Sequence, residues 1–122
     1  MRAAILEADP AEERWIPERC FILELSNGER DPEVSLARAR IEPGVTTQLH
    51  RLAGVAERYV VLEGEGMMHV GDLPPSPVGP GSVVLVPAGT PQRITNTGDR
   101  DLVFLCVCTP PFVEGAYEAL GE

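Results

Sequence analysis

Short apolar runs broken by turn residues recur along the chain, and their spacing predicts strands rather than helices. Phe21–Leu25 reads as a strand closed by Ser26-Asn27-Gly28, because Asn-Gly readily supplies the positive φ of a tight turn. Over Glu33–Glu42 the side chains alternate, with Val34, Leu36, Arg38 and Arg40 on one face and Ser35, Ala37, Ala39 and Ile41 on the other. Gln48–Leu52 is a short strand candidate, and Glu57–Leu62 follows with β-branched and aromatic content. Met67–Val70, Ser82–Val86, Gln92–Asn96 and Leu102–Thr109 complete the set. Pro43-Gly44, Gly64-Glu65-Gly66, Pro87-Ala88-Gly89 and Thr97-Gly98-Asp99 turn the chain between them. Asp72–Gly81, dense in proline and glycine, is a loop with at most a short strand around Val78. Pro110-Pro111 stops the last strand, and Val113–Leu120 is the one helical stretch, with Ala116, Tyr117 and Leu120 on one face. Residues 1–20 carry mixed charges around Trp15 and show no period.

Composition narrows this to one all-β domain. A chain of 122 residues has the length of a single domain, and its 12 glycines and 12 prolines are spread out rather than gathered in one tract. Strands with turn signals at this spacing describe a sandwich or barrel. The formal net charge is −9, and all 10 basic residues are arginine. Such a surface repels phosphate backbones and anionic headgroups, which excludes sequence-independent nucleic-acid binding and disfavours membrane docking. No apolar run nears transmembrane length and Met1–Pro10 carries no leader pattern, so the expected location is cytoplasmic. Cys20, Cys106 and Cys108 are then expected as reduced, buried thiols, since one C-x-C pair lacks the second pair a zinc site needs.

Two segments carry candidate chemistry. Gly44 to Gly64 reads GVTTQLHRLAGVAERYVVLEG, and Gly81 to Asn96 reads GSVVLVPAGTPQRITN. The first resembles the opening cupin motif, G-x5-H-x-H-x3–4-E-x6-G, at Gly44, His50, Glu57 and Gly64. The second resembles the closing motif, G-x5-P-x-G-x2-H-x3-N, at Gly81, Pro87, Gly89 and Asn96. Leu52 and Gln92 stand where the family has histidines. The resemblance implies a double-stranded β-helix, or jelly-roll, cupin barrel with a short C-terminal helix. It implies a single domain over 1–122, with a barrel core at about 33–109, an N-terminal strand segment at 1–30 and a C-terminal tail at 110–122.

It also implies an interior site for a divalent transition metal. His50, Glu57 and Gln92 would supply one nitrogen and two oxygen donors, a mixed set that suits Mn, Fe, Ni, Co or Zn. Gln48 is a possible fourth ligand, while His69 is expected at the rim. A glutamine amide is a weaker donor than imidazole, so low affinity or absence of the metal is equally an expectation. Strand alternation adds Leu52, Tyr59 and Val61 as pocket-lining residues, with Met68 as soft filling. Arg51, Arg58 and Arg93 fall on the outward faces. Arg38 and Arg40 share a face with Val34 and Leu36, which suggests a site for an anionic carboxylate or phosphate, or snorkelling at a dimer interface.

Three functions compete. One is a metal-dependent enzyme, such as a dioxygenase, isomerase or decarboxylase, acting on a small molecule. Another is a metal-free module that binds a small organic ligand. The third is an epimerase-like activity, which needs a histidine base with a carboxylate partner, and no spacing singles out such a dyad. Open sheet edges make a homodimer the expected assembly, with Phe21–Leu25 and Glu33–Glu42 as candidate interface strands.

Overall fold

A computed structural model describes residues 1–121. Among the described residues, eleven strands form two sheets. The first is ordered β1 (Arg14–Ile16), β2 (Cys20–Gly28), β3 (Asp31–Ile41), β10 (Leu102–Thr109), β5 (Ala56–Glu63) and β8 (Val83–Val86). The second is ordered β11 (Tyr117–Ala119), β4 (His50–Leu52), β9 (Gln92–Asn96), β6 (Gly66–Val70) and β7 (Ser76–Val78). All pairings are antiparallel, and consecutive strands repeatedly cross from one sheet to the other. This is the expected jelly roll, a double-stranded β-helix.

Alternation decides which side chains enter. On β5, Glu57, Tyr59 and Val61 are buried while Arg58 and Val60 on the opposite face are only half-buried. On β9, Gln92, Ile94 and Asn96 point in, and on β4 His50 and Leu52 do so on either side of the exposed Arg51. The inward set of β3 is Ser35, Ala39 and Ile41. Ile41, Ile94, Leu102, Val61, Met68 and Phe104 lie in the main core, and a smaller cluster joins Leu52, Val55, Cys108 and Ala116.

The motif residues hold corners. Gly64 sits at φ +86, where an added Cβ would lie 2.6 Å from Asp101 O and 2.8 Å from the Leu102 Cα. Asn96 ties two further segments, its amide nitrogen donating to Ile41 O and Arg100 O at 2.8 Å each while its oxygen accepts from Gly98 N at 2.9 Å.

Four expectations change. Val113–Leu120 is not a continuous helix: a single 3-10 turn, Glu114–Ala116, leads into β11. Gly115 weakens a helix at that point, and the free edge of β4 offers backbone partners that a surface helix would lack. The period-free segment 1–20 contains a 3-10 turn, Pro10–Glu12, and β1. Strands β2 and β3, the candidate interface strands, are interior to their sheet, so edge pairing with a second copy would fall to β1 or β8 in that sheet. The anion facing Arg38 and Arg40 belongs to the chain itself. Glu13 Oε1 lies 2.7 Å from Arg40 Nη2, and Glu13 Oε2 lies 3.3 Å from Arg38 Nη2. Arg40 also reaches Asp101 at 3.2 Å and stacks over the Phe21 ring at 4.1 Å. The hydrogen bond from Arg40 holds the Glu13 carboxyl below its usual range, with Arg38 adding to it. This clamp pins the N-terminal segment to the outer face of the sheet. The last residue of the expected 110–122 tail lies outside the described residues.

The corner glycines give a stability test. Gly81 also has positive φ, at +91, but nothing lies within 4 Å of an added Cβ. Gly81→Ala should therefore lose only the left-handed backbone penalty, about 1 kcal/mol. Gly64→Ala meets the same penalty plus a backbone clash and should lose about 3 kcal/mol or more. Urea unfolding midpoints at unchanged m-value compare them, and equal losses would refute close approach at Gly64.

Candidate binding site in the barrel

The barrel opens on a cavity of about 520 Å³ with a mostly apolar wall. Its polar groups come from three directions. Strand β4 supplies His50, 2% exposed. Its Nδ1 lies 2.7 Å from the Gln48 carbonyl, which only accepts, so Nδ1 carries the proton and Nε2 keeps its lone pair. Burial pushes the imidazole pKa down; the Gln48 bond and the Glu57 charge oppose that shift. Tyr117 of β11 stacks on the ring at 4.9 Å between centroids and 20° between planes.

Strand β5 supplies Glu57, 8% exposed and bordering the cavity. Burial raises its carboxyl to about 7, with the Glu18 charge adding to the rise; His50, Gln92 and Cys106 pull the other way. The Cys108 thiol donates to Oε2 at 3.9 Å, but Oε1 is buried with no hydrogen-bond partner.

The third group, Glu18, comes from the turn between β1 and β2, and sequence reasoning missed it. Arg19 in that turn adopts φ 73, and its Nε donates to Thr46 O at 2.8 Å while Glu18 O accepts from Gln48 N at 3.0 Å. A non-glycine residue in the left-handed region is held there by its surroundings. The result sets Glu18 Oε1 4.0 Å from His50 Nε2. Burial raises the Glu18 carboxyl to about 7 as well, against a lowering by the Cys20 thiol. A carboxylate near the imidazole, beyond hydrogen-bond distance, is thus supplied by a loop that no spacing revealed. A left-handed φ at a non-glycine residue leaves no mark in hydrophobic periodicity.

The remaining predicted site residues fall in different places. Leu52 and Tyr59 line the cavity. Val61 and Met68 pack in the core beneath it and are not among its lining residues. Gln92 is 1% exposed; its Oε1 accepts a short hydrogen bond from the Tyr59 hydroxyl, and its Nε2 has no partner. Gln48 directs its amide nitrogen to the carbonyls of Leu49 and Gly121 and stands outside the cavity lining. The thiols of Cys106 and Cys108 line the cavity, but burial pushes both up, Cys108 to about 12, so neither supplies a thiolate.

This donor set does not fit a tightly held metal. Among the described residues no three His, Cys, Asp or Glu side chains gather as a metal would need. Gln92 commits its carbonyl oxygen to Tyr59, and the amide nitrogen left over carries no lone pair. That orientation is also the electrostatically sensible one, because it turns a donor rather than an acceptor toward the Glu57 carboxyl.

Among the described residues no helix is long and apolar enough to cross a membrane. Comparisons with known proteins agree with the fold. An uncharacterized protein of Methanocaldococcus jannaschii is 37% identical over 78 residues, covering 64% of this chain and 62% of that protein. An oxalate-binding protein of Thermotoga maritima is 38% identical over 71 residues, covering 58% of each. The chain thus matches less than two-thirds of the length of these relatives. The crystal structure of a predicted oxalate decarboxylase from Thermotoga maritima superposes with a TM-score of 0.74 at 27% identity, over 86% of this chain and 99% of that one. The cupin-domain family profile matches residues 37–108, more than half of the sequence and both motif segments, and the chain belongs to the cupin family.

Proposed function

We propose that this cupin binds a small organic ligand in the barrel interior without a resident metal. The observation that carries the reading is Glu57: a carboxyl more than nine-tenths buried, bordering the cavity, whose Oε1 makes no hydrogen bond of ordinary length and has the Gln92 amide turned toward it. Leaving a buried polar atom unpaired costs about 1–3 kcal/mol, which a ligand group would recover. An apolar cavity of this size with a few convergent polar groups is the usual form of a small-molecule site. Within it Glu57 and Glu18 would hydrogen-bond the ligand, and the fixed tautomer of His50 would offer it an acceptor.

The experiment is elemental analysis of protein purified without chelator, beside a thermal-shift screen of small metabolites in excess EDTA. The expected result is less than about a tenth of an equivalent of Mn, Fe, Ni, Co or Zn, with stabilisation by at least one organic compound. One equivalent of such a metal, lost in both His50→Ala and Glu57→Gln, would overturn the reading and restore the three-donor site of His50, Glu57 and Gln92.

The two acids also give a pH signature. Their carboxyls are raised to about 7 from an ordinary 4.5, so between those values the folded state holds more protons than the unfolded chain. The associated stability is fully present below the ordinary carboxyl pKa and is lost as pH rises through about 7. The protein should be less stable at pH 8 than at pH 5.5, by on the order of 3 kcal/mol. Glu18→Gln removes one acid and the like charge beside Glu57, so its profile should be flatter. Denaturant melts across this range are the check, and a profile that rises from pH 5.5 to 8 would contradict the buried acids.

A further inference from the structure

The charges that face the cavity identify the class of ligand, given the ligand-binding reading above. Glu18 and Glu57 line it from inside, Glu24 and Glu114 line it at exposed positions, and Arg14, also exposed, is the one arginine among the lining residues. The other arginines with assigned partners are engaged elsewhere. Arg38 and Arg40 bind Glu13, Arg51 binds Glu118 at 3.0 Å, Arg58 donates to the Thr109 hydroxyl and Arg19 to the Thr46 carbonyl. His50 is committed to the chain on both sides, its Nδ1 2.7 Å from the Gln48 carbonyl and its Nε2 4.0 Å from Glu18 Oε1. An anion entering this cavity would face carboxyl groups with one cation, at an exposed position, to offset them.

Between the acids the wall is aromatic. Tyr59 and Phe104 stack at 4.6 Å and 14°, Tyr117 covers His50, and Phe112 also borders the space. Carboxylates beside aromatic rings form the usual environment for an ammonium group, through charge-assisted hydrogen bonds and attraction to the ring faces. A bare metal ion would instead need several oxygen or nitrogen lone pairs gathered at one point to replace its water, and among the described residues no three His, Cys, Asp or Glu side chains gather so. The buried Oε1 of Glu57, which makes no hydrogen bond of ordinary length, is where a ligand N–H would be received.

We propose that the ligand is an organic cation, an ammonium group on an apolar body, whose N–H groups meet Glu57 and Glu18 and whose carbon framework lies against Tyr59, Phe104 and Tyr117. The site is therefore built against dicarboxylates, in contrast to what the name of the oxalate-binding relative would suggest for this chain.

The test uses the full chain in excess EDTA with four probes: benzylamine, benzyl alcohol, benzoate and oxalate. Ligand-observed NMR and amide shift titrations give each Kd. Benzylamine should bind at least about tenfold more tightly than benzyl alcohol, with benzoate and oxalate showing no binding. Glu57→Gln should remove the preference for the amine over the alcohol, and Glu18→Gln serves as the second variant should the first fail to fold. Benzyl alcohol, benzoate or oxalate binding as tightly as benzylamine overturns the cation inference but leaves the binding reading standing. An amine preference unchanged in the folded variants overturns it too. If no probe of any charge binds, both fail, and binding that returns only when Mn²⁺ replaces EDTA overturns the metal-independent reading.

Discussion

A carboxyl group taken out of water must find a counter-charge, a proton or a ligand, and Glu57 is placed so that the barrel supplies little of the first. Its position is not adjustable. Strand β5 pairs with β10 on one side and β8 on the other, and the register Glu57↔Cys108 and Glu57↔Val86 turns the side chain inward with Tyr59 and Val61. Slipping that register by one residue would bring Arg58 in and expel Tyr59 from the core. The same register that builds the core thus fixes an acid in the cavity, and the neighbouring Glu18 makes its ionisation harder still.

The two ends of the chain finish what the barrel strands begin. At the N-terminal side, Glu13 bridges Arg38 and Arg40 on the outer face of β3, and the strained Arg19 turn then carries Glu18 to His50. At the C-terminal side, β11 adds to the edge of β4 with Tyr117 opposite Leu52 and Ala119 opposite His50. Both additions dock on the first motif segment, through Thr46 and Gln48 on one side and β4 on the other, and both bring a side chain to the same imidazole.

The two departures from the family's metal pattern have visible packing consequences. Leu52 joins Val55, Cys108 and Ala116 in an apolar cluster where a histidine would need a polar partner. Gln92 keeps a polar group at its position but binds the Tyr59 hydroxyl, which joins β9 to β5 across the interior. What remains is one imidazole among acids and aromatic rings, without three His, Cys, Asp or Glu side chains gathered among the described residues.

Most of the barrel is legible in the sequence. Apolar alternation and Gly-Pro punctuation locate β5, β9 and β10 with nearly their observed limits, because burial on a pleated strand imposes a period of two. The motif spacing likewise puts His50, Glu57 and Gln92 on inward faces. Glu18 and Tyr117 are not legible. One sits in a turn whose backbone is held by Thr46 and Gln48, and the other in a segment whose local pattern suggests a helix. The sequence by itself therefore determined the all-β class and the inward strand positions, which follow from local periodicity, and its resemblance to the cupin motifs added the jelly roll and the two missing imidazoles. Only the tertiary structure decided which carboxylate meets His50, where Gln92 directs its oxygen and which arginines stay outside, because those depend on contacts between residues far apart in the chain.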